Sequence, residues 1–377
     1  MKIAIVSTNF YPTPPNKKTI SAPLWLTKTL TERLSKRGHD VTFFGASDST
    51  IKTKVASNTP SLKKNKDWDK PYKFLEEKAS ELLDKKSSQT LLAQEWQTIL
   101  RENYQLRLAT YFCKKAEEEN FDIIHFHTPF TFLHFASFVD TPIVMTIHDP
   151  LTYPLKSNSL KVICKLFSEE VNFITISEAQ RKPAPSLNYL ATVPNGIEID
   201  KFNFSKKGKG YLAFAGRLTP EKGAHTAIKV AKELDKPLKI AGKIYPQYKD
   251  YWEKEIKPNL SEKIEYLGLL PREKMSNFYK NADALLMPIE REEPFGLVMI
   301  EAMACGTPVV AFNKGAVPEV IKNNETGFIV KNPKEMIKAT QNIEKIKRKD
   351  CREHVENNFS TEKMVDNYLK AYKKIVN

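Results

Sequence analysis

Short apolar runs recur along the first half of this chain, with helix-spaced stretches between them. Ile3 to Ser7, Val41 to Phe44, Ile123 to Phe126, Ile143 to Ile147 and Phe173 to Ile176 are too short for helices and read as buried strands. Between the first two, Leu24, Leu26, Leu30 and Leu34 share helical spacing, and Gly38-His39-Asp40 stops that helix. The pattern restarts in the second half, with Leu212 to Ala215, Leu238 to Ala241, Ile264 to Leu267, Ala284 to Met287 and Val309 to Phe312 as strands. Strands separated by helices predict a parallel sheet covered on both faces. A length of 377 residues suffices for two such domains. The expected fold class is α/β, with two tandem doubly wound, Rossmann-like domains. Their ranges are read as 1–202, with a Lys-rich helical insertion at about 48–119, and 203–358, followed by a basic amphipathic helix within 359–377. Asn203 to Gly210 (NFSKKGKG) is polar and short and reads as the flexible linker.

Composition narrows the class. The hydrophobic fraction is 41%, in the globular range. No apolar run approaches the ~20 residues that span a bilayer. Ile3 to Val6 is shorter than the apolar core of a signal peptide, about 7–15 residues. Cys113, Cys164, Cys305 and Cys351 are scattered without pair spacing, so the expectation is a reduced, cytoplasmic protein. Net charge is +14, but 49 of the 59 basic residues are lysine. Nucleic-acid readers favour the forked donors of arginine, so no nucleic-acid partner is expected. A weak peripheral contact with an anionic inner membrane face stays open.

The chemistry concentrates in Glu290 to Ala311 (EREEPFGLVMIEAMACGTPVVA). Leu297 to Ala304 reads as a short helix stopped by Gly306 and Pro308. Its N-terminus beside Gly296 offers unpaired amides to an anionic oxygen. Glu293 and Glu301 flank that terminus. A phosphate for the amides and hydroxyls for the carboxylates describe one ligand, a nucleotide-sugar. Glu301 is the lone charge among Leu297, Val298, Met299, Ile300, Ala302 and Met303, and a charge so placed has a specific partner. Arg217 and Lys222 follow the first strand of the second half, where open α/β sheets bind ligands, and two cations there suit a diphosphate.

With Gly216-Arg217-Leu218 through Lys222-Gly223 (GRLTPEKG) and Gly315 to Glu319 (GAVPE), this segment resembles the E-x7-E signature of family 4 retaining glycosyltransferases. The likeness runs from Met1 to about Gly327 and rests on the order and spacing of several motifs together. It implies a GT-B fold whose domains face across a cleft. The terminal helix would cross back to cap the first domain. It also implies a nucleotide-diphosphate-sugar donor and an acceptor that is a sugar, a lipid-linked sugar or a small molecule. No cofactor and no metal are expected. By resemblance, Glu301 takes the ribose hydroxyls and Glu293 those of the donor sugar. Gly296 and Leu297 offer backbone amides to the phosphate, Phe295 and Val298 are among the donor-binding residues, and Gly268-Leu269 lies at the nucleobase. The same likeness sets His148, at the end of the strand Ile143 to Ile147, beside the transferred sugar. Ser177, Asn195, Asp149 and Glu319 fall near the cleft. One departure is the glycine-free loop Asn9 to Ser21 (NFYPTPPNKKTIS), where relatives often carry a Gly-Gly pair and where Lys18 is the substitute expected here.

Other readings have their own signatures. His125 and His127 share a strand face, as a zinc pair would, but no further ligands stand at suitable spacing, and packing is expected. Asp67-Trp68-Asp69 matches the DxD of metal-dependent transferases, yet it lies in the insertion and follows no buried strand. A dinucleotide-dependent dehydrogenase would need G-x-G-x-x-G at the first turn, which Ser7 to Pro15 lacks. A nucleotide-sugar epimerase would need acid-base carboxylates in the first domain. A sugar phosphorylase would be much longer. A non-catalytic basic binding module is separated from all of these by nucleotide release from a nucleotide-sugar.

Overall fold

The computed structural model describes residues 1–16, 21–82, 88–127, 130–151 and 159–376. Two compact units emerge. One comprises Met1–Ile176, Arg181–Val193 and Val365–Asn377, the other Ser177–Gln180 and Pro194–Met364.

The first unit is built on seven parallel strands: β1 (Lys2–Val6), β2 (Asp40–Phe44), β3 (Lys54–Ala56), β4 (Ile123–Phe126), β5 (Ile143–Ile147), β6 (Val171–Thr175) and β7 (Tyr189–Thr192). Their order is β3-β2-β1-β4-β5-β6-β7. Parallel neighbours require crossovers, and the helices that supply them cover both faces, which is why β4 and β5 are buried at every position. The core holds an aromatic stack in which Phe112 meets Phe44 and Phe126 edge to face, at 5.1 and 5.7 Å between ring centres. Phe112 comes from the helix Ser88–Glu119. The 48–119 stretch is therefore not all insertion. Leu108, Ala109, Phe112 and Ala116 make the end of that helix part of the core.

The second unit carries six parallel strands: β8 (Tyr211–Ala215), β9 (Leu238–Ala241), β10 (Ile264–Tyr266), β11 (Ala282–Met287), β12 (Val309–Phe312) and β13 (Gly327–Val330), ordered β10-β9-β8-β11-β12-β13. The units divide at Val193/Pro194, ahead of the 202/203 boundary read from the sequence. The reason is hydrogen bonding. Asn203 to Gly210 is no free linker: the Asn203 amide donates to Ser276, the Ser205 amide to the Cys305 carbonyl, and the Gly210 amide to Asp283.

The helix Thr361–Tyr372 ends on the first unit. Its Tyr368 and Tyr372 are fully buried, with their hydroxyls on Thr146 and His125. No helix among the described residues is long and apolar enough to cross a membrane. All four cysteines are free.

One glycine is required by close approach. A Cβ on Gly242, just after β9, would stand 2.0 Å from the Gly216 carbonyl oxygen at the end of β8. Gly242→Ala is expected to lower stability in urea by about 1–3 kcal/mol, the usual cost of forcing backbone apart. An unchanged denaturation midpoint would show that the two strand ends separate freely.

Candidate functional site

In the second unit the chain leaves β8 toward β9 on one side, while β11 pairs with β8 on the other. This is the topological switch point, where strand ends part and a crevice opens. Two loops meet there. Arg217 to Gly223 follows β8, and Pro288 to Gly296 follows β11. The Glu290 amide donates to the Glu221 carbonyl at 2.9 Å. Gly223 has φ +76°, and a Cβ there would lie 2.1 Å from the Pro288 carbonyl oxygen. Only glycine lets these loops touch.

The contact brings charges from distant sequence together. Lys222 Nζ donates to Glu293 Oε2 at 2.7 Å, with 16% and 11% of the two side chains exposed. Arg291 Nε is 3.6 Å from the same oxygen, beyond hydrogen-bond range, and is buried without a hydrogen-bond acceptor among the described residues. Among the same residues, Arg217 makes no ion pair or hydrogen bond through its guanidinium. Lys222 and Arg291 thus share one carboxylate, and Arg217 lies near enough to act on Lys222. Burial lowers the Lys222 pKa, Glu293 opposes that, and Arg291 and Arg217 add to it. The site has an unsatisfied donor in Arg291 Nε.

A third loop clamps the carboxylates. Glu292 accepts from the Gly315 amide at 2.5 Å, and the Glu293 carbonyl accepts from the Ala316 amide at 2.8 Å. A Cβ on Gly315 would sit 2.3 Å from Glu293 backbone atoms. Glu292 is exposed but holds this loop. Arg291 was missed altogether. Its position between two carboxylates in a chain poor in arginine was the available signal.

Gly296, at φ +87°, starts the helix Leu297–Ala304. The amides of Leu297 and Val298 lie in the first turn, where helices leave donors unpaired. The Phe295 side chain is buried and meets Phe359 edge to face at 5.8 Å, so only its backbone is left for a ligand. Glu301 is half-buried and has the partner its apolar surroundings demanded: Tyr279 donates its hydroxyl to Oε2 at 3.0 Å. Burial raises the Glu301 pKa, against the opposing pull of Arg272 and the Tyr279 bond. At φ +71°, Gly268 accepts from the Gly242 amide at 2.9 Å, while Leu269 is exposed.

Other sequence candidates are drawn into structural roles. Glu319 accepts from the amides of Glu178 and Ala179, each at 2.7 Å. Ser177 Oγ accepts from the Gln180 amide at 3.2 Å. Asn195 is buried with Oδ1 unpartnered, beside Gly196, whose Cβ would strike the Ser360 carbonyl at 2.5 Å. Lys18 lies outside the described residues. Asp69 of the DxD-like triplet pairs with Lys73 one helical turn on.

In the first unit, β4 and β5 place three imidazoles together. His125 Nδ1 meets the Tyr372 hydroxyl at 2.6 Å and Nε2 the Thr146 hydroxyl at 2.7 Å. The His125 and His127 ring centres are 4.1 Å apart. His127 Nδ1 is 3.1 Å from His148 Nε2. Burial draws His148 down to about 4 and His125 to about 3, so both are neutral at physiological pH. The strand pair expected only to pack thus reaches His148. Asp149, beside it, is exposed.

Residues 25–201 match the family described as Glycosyltransferase Family 4, and residues 196–362 match Glycosyl transferases group 1. The chain belongs to glycosyltransferase family 4. This glycosyltransferase-family chain is 31% identical over 205 residues to an uncharacterised 41.2 kDa protein in the cps region of Klebsiella pneumoniae, covering 50% of this chain and 56% of that one. The chain spans about half the length of the first curated relatives it matches. Sucrose-phosphate synthase from Thermosynechococcus elongatus superposes with TM-score 0.74 at 17% identity, covering 99% of this chain and 98% of that one. Anabaena Alr3699/HepE, solved in complex with UDP, gives 0.71 at 17% identity, covering 99% and 100%. These likenesses establish the GT-B fold.

Proposed function

We propose that this chain is a retaining, metal-independent glycosyltransferase. It would move a sugar from a nucleotide-diphosphate-sugar to the hydroxyl of an acceptor sugar, lipid-linked sugar or small molecule. The observation that carries this reading is the switch point of the second unit, where Lys222 and Arg291 both lie against the Glu293 carboxylate and Arg217 is near enough to act on Lys222. Those cations suit a diphosphate, as does the UDP found in the Anabaena relative.

Transfer breaks the bond between the sugar's anomeric carbon and a phosphate oxygen, and negative charge grows on that oxygen. Lys222, Arg217 and the amides at Leu297 and Val298 are assigned to hold it, with Arg291 beside them. The acceptor oxygen forms the new bond from the same face, and its proton passes to the departing phosphate oxygen. No protein base is then required, in keeping with burial that draws His148 down to about 4 and leaves it a weak base. Glu301 keeps Oε1 for ribose hydroxyls, because Tyr279 occupies Oε2. His148 is assigned to the transferred sugar, and the first unit to the acceptor.

The test is a panel of nucleotide-sugars with excess chelator, followed by proton NMR of the first product. Release of nucleoside diphosphate is expected to persist in chelator, with the anomeric coupling of the donor preserved. An inverted product, or turnover abolished by chelator and restored by a divalent ion, would replace this reading.

A further inference from the structure

His148 makes one hydrogen bond among the described residues, between its Nε2 and Nδ1 of His127 at 3.1 Å. Burial holds both rings neutral at physiological pH. One proton therefore lies between these two nitrogens, and the other end of each ring decides which nitrogen carries it. His127 Nε2 is buried and has no hydrogen-bond partner among the described residues. An orphaned N–H in a protein interior is rarer than an orphaned lone pair. Nε2 of His127 is thus the bare nitrogen, and Nδ1–H donates to His148. With its Nε2 accepting, His148 must carry its own proton on Nδ1. That nitrogen makes no hydrogen bond among the described residues, so it is the atom available to a ligand.

We propose that His127 is a positioning residue that fixes His148 as the Nδ1–H tautomer, so that His148 meets its ligand as a neutral hydrogen-bond donor. The proposal rests on the assignment of His148 to the transferred sugar and adds what that contact is: an N–H directed at a lone pair of a sugar oxygen. The free side chain prefers the opposite tautomer, so the choice is imposed by the fold. His125 supports it from the strand. Both its ring nitrogens are held by the hydroxyls of Tyr372 and Thr146, and its ring lies 4.1 Å from that of His127. A donor at His148 cannot take a proton from the acceptor, which agrees with leaving that task to the phosphate oxygen.

The test is the imidazole nitrogen spectrum of the full chain labelled with ¹⁵N-histidine; the sequence has seven histidines, and His148→Gln identifies the signal. His148 is expected as Nδ1–H. His127→Asn, whose side-chain amide can donate near the place of Nδ1, should keep that tautomer and most of the turnover. His127→Phe keeps the ring without its nitrogens. It should move His148 toward Nε2–H and lower kcat about a hundredfold, as misplacement of a reacting geometry does. Nucleoside diphosphate affinity should stay unchanged. Finding His148 as Nε2–H in the native protein, or the same tautomer in the Phe variant, overturns the proposal. If the tautomers behave as expected but His127→Phe and His148→Ala both turn over at the native rate, the tautomer assignment stands and the assignment of His148 to the sugar falls.

Discussion

Lys222→Ala is expected to cut turnover by about a hundred- to a thousandfold, the loss seen when a preorganised donor to a developing anion is removed. Lys222 is nearly buried, charged and held 2.7 Å from Glu293, so its ammonium is fixed before any ligand arrives. A mobile surface lysine would lose the same charge at far smaller cost. The pH dependence follows from burial, which lowers the Lys222 pKa. The folded protein gives up this proton at lower pH than the unfolded chain, whose lysines titrate near ~10.4. Between the two values the unfolded state binds more protons, so stability relative to the variant rises with pH there. Turnover, which needs the ammonium, falls over the same window. Steady-state rates of both proteins from neutral to alkaline pH decide this. A Lys222→Ala enzyme within threefold of native would remove Lys222 from the chemistry.

Glu293→Gln should separate binding from transfer. In the ligand-free site, Glu293 is the carboxylate that balances Lys222 and Arg291. Removing its charge leaves buried cations facing one another, and the free protein should lose about 3 kcal/mol of stability. A nucleoside diphosphate restores the missing negative charge. The variant should therefore bind it at least as tightly as the native protein, and the ligand should stabilise the variant more. Transfer should still slow, by about a hundredfold, because Glu293 is also assigned to hold the sugar's hydroxyls. Calorimetric titration with nucleoside diphosphate and urea denaturation measure the two halves. Weaker diphosphate binding in Glu293→Gln would show that the Lys222–Glu293 pair is not the one the diphosphate displaces.

The sheet interiors were legible in the sequence; of the four edges only β10 was. Ile123–Phe126, Ile143–Ile147, Leu238–Ala241 and Val309–Phe312 stand where their apolar runs predicted. Each lies between two other strands and under helices on both faces, so each must be apolar throughout. β3, β7 and β13 went unread, and each is an edge strand. Every residue of Tyr189–Thr192 is only half-buried, so its sequence carries no continuous apolar signal, and pairing with β6 makes it a strand. The 203–210 stretch misled in the opposite direction. Its polarity suggested a free linker, but its amides are satisfied by Ser276, Cys305 and Asp283, far along the chain.

The same divide runs through the candidate site. Local order in the sequence determined the helix Leu297–Ala304 with Gly296 at its head, the loop carrying Arg217 and Lys222 after β8, and His148 at the end of β5. These depend on spacing and on glycine, which act over a few residues. Tertiary structure alone decided the partners. Lys222 meets Glu293 across 71 positions, Tyr279 reaches Glu301 across 22, and His127 reaches His148 across 21. Glu319, placed near the cleft by resemblance, accepts from two backbone amides. Charge and hydrogen-bond partners are set by which strand ends lie side by side. In a parallel sheet that adjacency comes from strand order and register, and the crossovers that produce it leave no mark on the residues they bring together.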